Sequence, residues 1–310
     1  MINRPIKPER KKRARPLVRW HGGKWMIANW IIGFFPKHGL YTEAFGGGAS
    51  VLLRKPPAPG SEIYNDLDET IWRIFRVLQD DAKAARLIWL LDRTPYARRE
   101  FEEAYEPTDD DVEQARRTIV RSFMGYGSDG TAGVYPTGFR SIVTRAGKTP
   151  ATEWANYTHG LELIRKRVKR VTLECQDAFE LLVKFDQDDA LHYVDPPYLP
   201  ETRSQGNRRR GKGFHVYQHE LTVDDHIRLL ELLRGLRGMV VLSGYPSDLY
   251  DNTLPDWRRE ERGSYADGGG ARTEVVWINP LCAQRLANEE RARRAARVPL
   301  FAGDDHHVSH

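Results

Sequence analysis

Leu191–Arg203 reads "LHYVDPPYLPETR". A short apolar run, of the kind that forms a buried strand, ends in Asp195, Pro196, Pro197 and Tyr198. Consecutive prolines preset the backbone torsions and remove two amide donors, leaving carbonyl oxygens as acceptors beside the Asp195 carboxylate. Such a corner suits a planar ligand with an exocyclic amino group: two acceptors for its two protons, and the Tyr198 ring for its face. The plainer alternative is a structural turn where an apolar strand meets solvent.

Working outward, other strands end in comparable features. "LYTEAFGGGAS" is a short strand running into Gly46, Gly47 and Gly48, with "VLLRK" expected to start a helix. "SEIYNDLDET" repeats the plan, ending near Asp66 before the amphipathic "IWRIFRVLQD". "RVTLECQDAFELL" carries Asp177, and "GMVVLSGYPS" and "TEVVWINP" supply further strands, with "DDHIRLLELLRGL" as a helix among them. Strand–loop–helix units in succession predict an α/β fold with a parallel sheet, whose ligand sits at the carboxyl ends of the strands.

The glycine turn lets a backbone come close to a ligand. It is not a dinucleotide fingerprint, because the third glycine would fall on Val51, and "HGGKW" is not a phosphate loop, because no Ser or Thr follows Lys24. Asp66, about twenty residues on, is placed where an acid accepts hydrogen bonds from ribose hydroxyls, so the pair favours an adenosine-type cofactor. Asp177 either caps the helix that follows or contacts the cofactor's adenine. Trp20 and Lys24 either begin a core-packed helix, "GKWMIANWIIGFFPKH", or line the cofactor's amino-acid end.

The composition, 40% hydrophobic and 29% charged over 310 residues, is that of an ordinary globular protein, and the net charge of +5 is only a slight lean toward a polyanionic partner. Seven of the first fifteen residues are basic, so residues 1–16 are expected to be a disordered arm, with nucleic-acid contact or a targeting signal as the alternatives. Residues 17–93 and 151–287 carry the sheet pattern. Between them, residues 94–150 break the alternation and read as an inserted module, charged and helical before the Gly- and Tyr-rich "FMGYGSDGTAGVYPTGFRS". Residues 288–310 read as a charged tail, a helix followed by disordered residues. No apolar run of about twenty residues predicts a membrane span, and Cys175 and Cys282 have no metal or redox spacing. A cytoplasmic protein without a metal and without an obligate protein partner is expected.

"RWHGGKW", "YTEAFGGGAS", "IYNDLDE", the Asp177 strand end and "VDPPY", in that order, resemble the Dam-type (D12 class) adenine-N6 DNA methyltransferases, particularly their phage-borne branch with the α motif order. The likeness spans most of residues 17 to 280. It implies a Rossmann-like sheet binding S-adenosylmethionine, an inserted and mostly helical target-recognition module, double-stranded DNA as substrate, and methylation of a flipped adenine. Carried over, Trp20, Gly23, Lys24, Phe45, Gly46, Gly47, Gly48, Asp66 and Asp177 would contact the cofactor, and Asp195, Pro196, Pro197 and Tyr198 would form the catalytic tetrapeptide. The insertion lacks the asparagine- and arginine-rich hairpin of members that read GATC, so the recognition sequence does not carry over. Arg140 is a candidate for base or phosphate contact, with a plain surface loop as the alternative. Arg203, Arg208, Arg209, Arg210 and Lys212 follow the tetrapeptide closely enough to meet phosphates. The same chemistry on cytosine N4, RNA adenine or a protein amide, and a non-catalytic nucleic-acid-binding chain, are the rival readings; Asp195 in place of Asn counts against the amide.

Overall fold

The structure, a computed structural model, describes residues 15–127, 131, 137–141, 149–199, 220–265 and 271–296. Its seven strands are β1 (Leu40–Glu43), β2 (Ser61–Asn65), β3 (Val171–Glu174), β4 (Ala190–Val194), β5 (Met239–Gly244), β6 (Arg258–Tyr265) and β7 (Ala271–Ile278). They form one sheet in the order β3-β2-β1-β4-β5-β7-β6. The first five are mutually parallel, and β7 lies antiparallel between β5 and β6. The chain order reverses between β1 and β4, so their carboxyl ends flank a crevice at the topological switch point. Registered pairs Thr42↔His192 and Glu43↔Tyr193 bring the start of the glycine loop beside the start of the Asp195 corner.

Alternation along the strands explains the two layers around the sheet. Leu191, Tyr193, Met239, Val241, Val276 and Ile278 face one core, completed by α1 (Ala28–Ile32), α2 (Glu69–Gln79), α3 (Asp81–Arg93), α5 (Asp111–Met124), α7 (Leu161–Val168) and α11 (Pro280–Ala295). Val194, Val240, Leu242, Val275 and Trp277 face the other, covered by α8 (Ala178–Lys184), α9 (Val223–Gly235) and α10 (Asp248–Thr253). Helix starts are set by local chemistry: Asp68, Asp80 and Asp110 each accept a backbone N–H from the first turn of α2, α3 and α5. Among the described residues no helix is long and apolar enough to cross a membrane.

Three expectations change. The first helix is regular only over Ala28–Ile32, because it is bounded by i→i+3 turns rather than by full helical hydrogen bonding. Val51–Lys55 turns without becoming a helix, and Pro56 and Pro57, which cannot donate the next helical bonds, follow at once. The charged helix expected from residue 288 starts earlier than that: residues 288–295 are the second half of α11, which begins at Pro280 behind the Asn279 cap. In the segment 94–150 the described residues form α4 (Arg98–Glu103) and α5, with one antiparallel bridge between Gly125 and Phe139. The helix α5 packs on α2 and α3. After it come α6 (Pro150–Ala155) and one 3₁₀ turn before α7.

His192 is fully buried in β4, its Nδ1 sharing a 2.8 Å hydrogen bond with Thr42 Oγ1. Burial lowers its pKa to about 4, against a partial upward pull from Asp186, whose carboxylate is 3.5 Å away. The unfolded chain takes up this proton near pH 6.5 and the folded chain does not, so stability falls as pH drops from 6.5 toward 4. The expected loss across that window is about 3 kcal/mol. Urea midpoints of the wild type and His192→Gln between pH 7 and 4.5 check it: the variant should show a shallower slope, and equal slopes would refute the assignment.

Candidate active site

The glycine loop follows β1 and is held by its neighbours. Gly46 N–H donates to the Asn65 carbonyl at 2.8 Å, and Tyr64 Oη donates to the Gly47 carbonyl at 2.8 Å. A Cβ at Gly46 would fall 2.2 Å from the Tyr64 ring, and Cβ atoms at Gly47 and Gly48 would fall 2.5 and 2.7 Å from Trp20. Gly47 also has φ +45°, in the left-handed region that favours glycine. What these glycines admit is therefore two aromatic side chains, Tyr64 and Trp20, which fix the loop as one wall of the crevice.

Asp66, at the end of β2, accepts the Gly47 N–H at 2.6 Å through Oδ2 and the Asp68 N–H at 2.8 Å through Oδ1. It thus ties the glycine loop to the start of α2. Asn65 bridges the neighbouring strand ends, donating to the carbonyls of Ala44 at 2.9 Å and Gln176 at 3.0 Å. Asp177 takes the capping option left open by the sequence, accepting the N–H groups of Phe179 at 2.8 Å and Glu180 at 3.2 Å. It also borders the crevice.

A cleft of about 1200 Å³, open mouth included, runs along these strand ends. Every residue expected at the cofactor lines it, from Trp20, Gly23 and Lys24 through Phe45, Gly46, Gly47 and Gly48 to Asp66 and Asp177. So do all four residues of the Asp195–Tyr198 corner. Residues separated by up to 178 positions in the chain meet because the switch point joins β1 to β4 and the segment before α1 folds back across them.

Both oxygens of Asp195 are located. Ser243 Oγ donates to Oδ1 at 2.8 Å, and is itself within 2.9 Å of Tyr193 Oη. The Lys24 ammonium lies 2.9 Å from Oδ2, donates to the Gly22 carbonyl at 2.6 Å, and sits 4.7 Å over the Tyr198 ring. Lys24, expected at the cofactor's amino-acid end, thus also belongs to the Asp195 corner. Tyr198 Oη donates to Glu274 Oε2 at 3.1 Å, and its ring packs against Tyr245 with centroids 4.3 Å apart. Beneath the corner, Glu43 Oε2 accepts from Tyr41 Oη at 3.1 Å and from Leu52 N–H at 2.9 Å. Burial raises its pKa to about 8, with the nearby Asp195 charge adding to the rise, so Glu43 is mostly neutral at pH 7. Burial likewise raises the pKa of Glu274, with Lys24 pulling the other way.

Sequence reasoning did not find Ser243, Glu274, Glu43 or Tyr245. The available signals were an acid opening the apolar "EVVWI" run, another inside "TEAF", and a hydroxyl at the end of "MVVLS". Arg140, a candidate for base or phosphate contact, is buried: Nη2 pairs with Glu153 at 2.7 Å, while its carbonyl accepts from Tyr96 Oη at 2.6 Å. Its guanidinium is engaged in joining the Phe139–Ser141 stretch to α6, so a plain surface loop does not describe it. Arg203, Arg208, Arg209, Arg210 and Lys212 lie outside the described residues.

The Type II methyltransferase M1.LlaDCHI of Lactococcus lactis subsp. cremoris is 24% identical over 296 residues, spanning 87% of this chain and 96% of that protein. Residues 20–256, which include the whole glycine loop, Asp66, Asp177 and the Asp195–Tyr198 corner, match the family model described as D12 class N6 adenine-specific DNA methyltransferase, and the chain belongs to that family.

Proposed function

We propose that this S-adenosylmethionine-dependent adenine-N6 DNA methyltransferase works on an adenine extruded from duplex DNA, received at the Asp195–Tyr198 corner while the methyl donor occupies the glycine-loop half of the same cleft. The observation that carries the reading is the meeting of both sets of residues in one crevice at the switch point. The donor set fits the methyl donor. Asp66 and Asp177 offer carboxylate acceptors for hydroxyl and amino groups, Phe45 and Phe179 offer apolar walls, and the cleft has room for a ligand of that size.

S-adenosylmethionine supplies an electrophilic methyl group. The remaining chemistry falls to the chain. An adenine amino nitrogen is a poor nucleophile because its lone pair is delocalised into the ring. Hydrogen bonds from its two protons to the Asp195 carboxylate and the Pro196 carbonyl localise that pair and stabilise the positive charge that develops on nitrogen. Ser243 and Lys24 hold the carboxylate in one orientation, so the acceptor need not reorganise during the reaction. Tyr198 provides a face on which the base stacks, offsetting part of the few kcal/mol that extrusion costs. Arg203, Arg208, Arg209, Arg210 and Lys212 are assigned to phosphates from their position just after the corner in sequence. Affinity for DNA should then fall steeply with salt.

Transfer of labelled methyl from S-adenosylmethionine to unmodified duplex DNA, followed by sequencing of the product at single-base resolution, tests the reading. N6-methyladenine at a defined site is expected. Label confined to RNA, or found on cytosine, would refute it.

A further inference from the structure

Glu274 is a buried acid, 9% exposed, at the start of the apolar run Val275–Ile278 of β7. Because β7 runs antiparallel to β5, with Gly244 opposite Val275, Glu274 reaches the edge of the sheet where the parallel strands end. There its Oε2 accepts the Tyr198 hydroxyl at 3.1 Å. Two residues away on the same strand, and so on the same face, Arg272 Nη1 donates to Tyr245 Oη at 2.6 Å. The Tyr245 ring in turn lies against Tyr198, tilted by 60°. One strand therefore fixes the Tyr198 ring twice, by its hydroxyl and by the ring that backs it.

A carboxylate is costly to bury unless it is hydrogen-bonded. An apolar residue at 274 would continue the strand's pattern, so packing alone does not call for an acid. We propose that Glu274 is a positioning residue for the target base: through the Tyr198 hydroxyl it holds the ring on which the extruded adenine stacks. This rests on the stacking role given to Tyr198 under Proposed function. Unlike Asp195, Glu274 does not touch the reacting nitrogen. Its loss should act on how well the base is held, with little effect on how DNA outside the target position is bound.

The test uses a duplex carrying the mapped methylation site in two forms, with adenine or an abasic residue at the target. Each target faces an abasic partner, so that no base pair must be broken in either. The wild type should prefer the adenine form about tenfold, the scale of one base stacked on an aromatic ring. Glu274→Ala and Tyr198→Phe should each remove most of that preference while leaving affinity for the abasic form unchanged. Glu274→Gln, whose amide oxygen still accepts from the hydroxyl, should keep most of it. If the wild type shows no preference, the stacking reading itself fails, and this inference with it. If the wild type shows it and Glu274→Ala retains it, the inference alone is overturned. Should the Glu274→Ala chain fail to fold, Tyr198→Phe breaks the same hydrogen bond without touching the buried acid, and an undiminished preference there overturns the inference equally.

Discussion

Replacing Asp195 with alanine is expected to slow methyl transfer by about 10³-fold or more, the scale for removing a preorganised group aimed at developing charge. The size follows from where the carboxylate sits. It is the acceptor at the end of β4, held on one side by Ser243 at 2.8 Å and on the other by Lys24 at 2.9 Å. Alanine removes the acceptor and also the partner of a largely buried ammonium. Ser243→Ala removes only one of the two orienting contacts, so its effect should be nearer tenfold, the equivalent of one ordinary hydrogen bond. Single-turnover rates with labelled S-adenosylmethionine separate these cases, and the thermal midpoint of each variant shows that the fold remains. Wild-type turnover by Asp195→Ala would remove Asp195 from the mechanism.

The contrast between Asp195 and Ser243 also marks what could be read in the sequence. The Asp195 corner was legible because two consecutive prolines after an apolar strand are rare in a parallel sheet and have a direct consequence for donors and acceptors. The parallel core was legible too, since β1, β2, β4 and β5 read as short apolar runs ending in glycine, acid or hydroxyl. What positions the corner was not. Ser243 and Glu274 lie on strands, and Tyr245 just after one, whose neighbours in space, β4 and the edge pair β6–β7, are set by sheet order, and a local pattern does not encode that order.

The edge strand itself was hidden for a related reason. The segment "RREERGSY" has no apolar alternation, because among the described residues β6 pairs only with β7, and much of its length is exposed to solvent. Charged side chains on such a strand suit an edge that must not pair with other chains. The glycine loop shows the opposite error. The loop does line the cleft, but the direct reason for three glycines is the approach of Tyr64 and Trp20, residues 18 to 28 positions from the glycines they touch. The burial of Arg140 was not legible because Glu153, the acid that pairs with it, lies beyond the end of the loop in which it was read.

The largest loss of stability should come from the far end of the sheet. Glu62, near the start of β2, is almost fully buried and accepts from Lys55 Nζ at 2.6 Å, from the Ala58 N–H at 3.0 Å and from both terminal nitrogens of Arg167 on α7. Burial opposes its ionisation, but the hydrogen bonds from Arg167 and Lys55 outweigh it and hold the carboxyl below its ordinary range. Burial also pulls the Lys55 ammonium down, against the hydrogen bond and charge of Glu62 that raise it. Glu62→Ala would leave two cations without their carboxylate in a site closed to water, and should cost about 3–5 kcal/mol. A triple replacement of Lys55, Glu62 and Arg167 by methionine removes all three charges of this cluster at once and should recover most of that loss. Urea midpoints of the single and triple variants decide the matter: a single-site loss below about 1 kcal/mol would mean that the trio is solvated and weakly coupled. Because Asn65 and Asp66 at the other end of β2 are untouched, the single variant should transfer methyl at the wild-type rate wherever it is folded, separating the residues that hold the sheet from those that work at its edge.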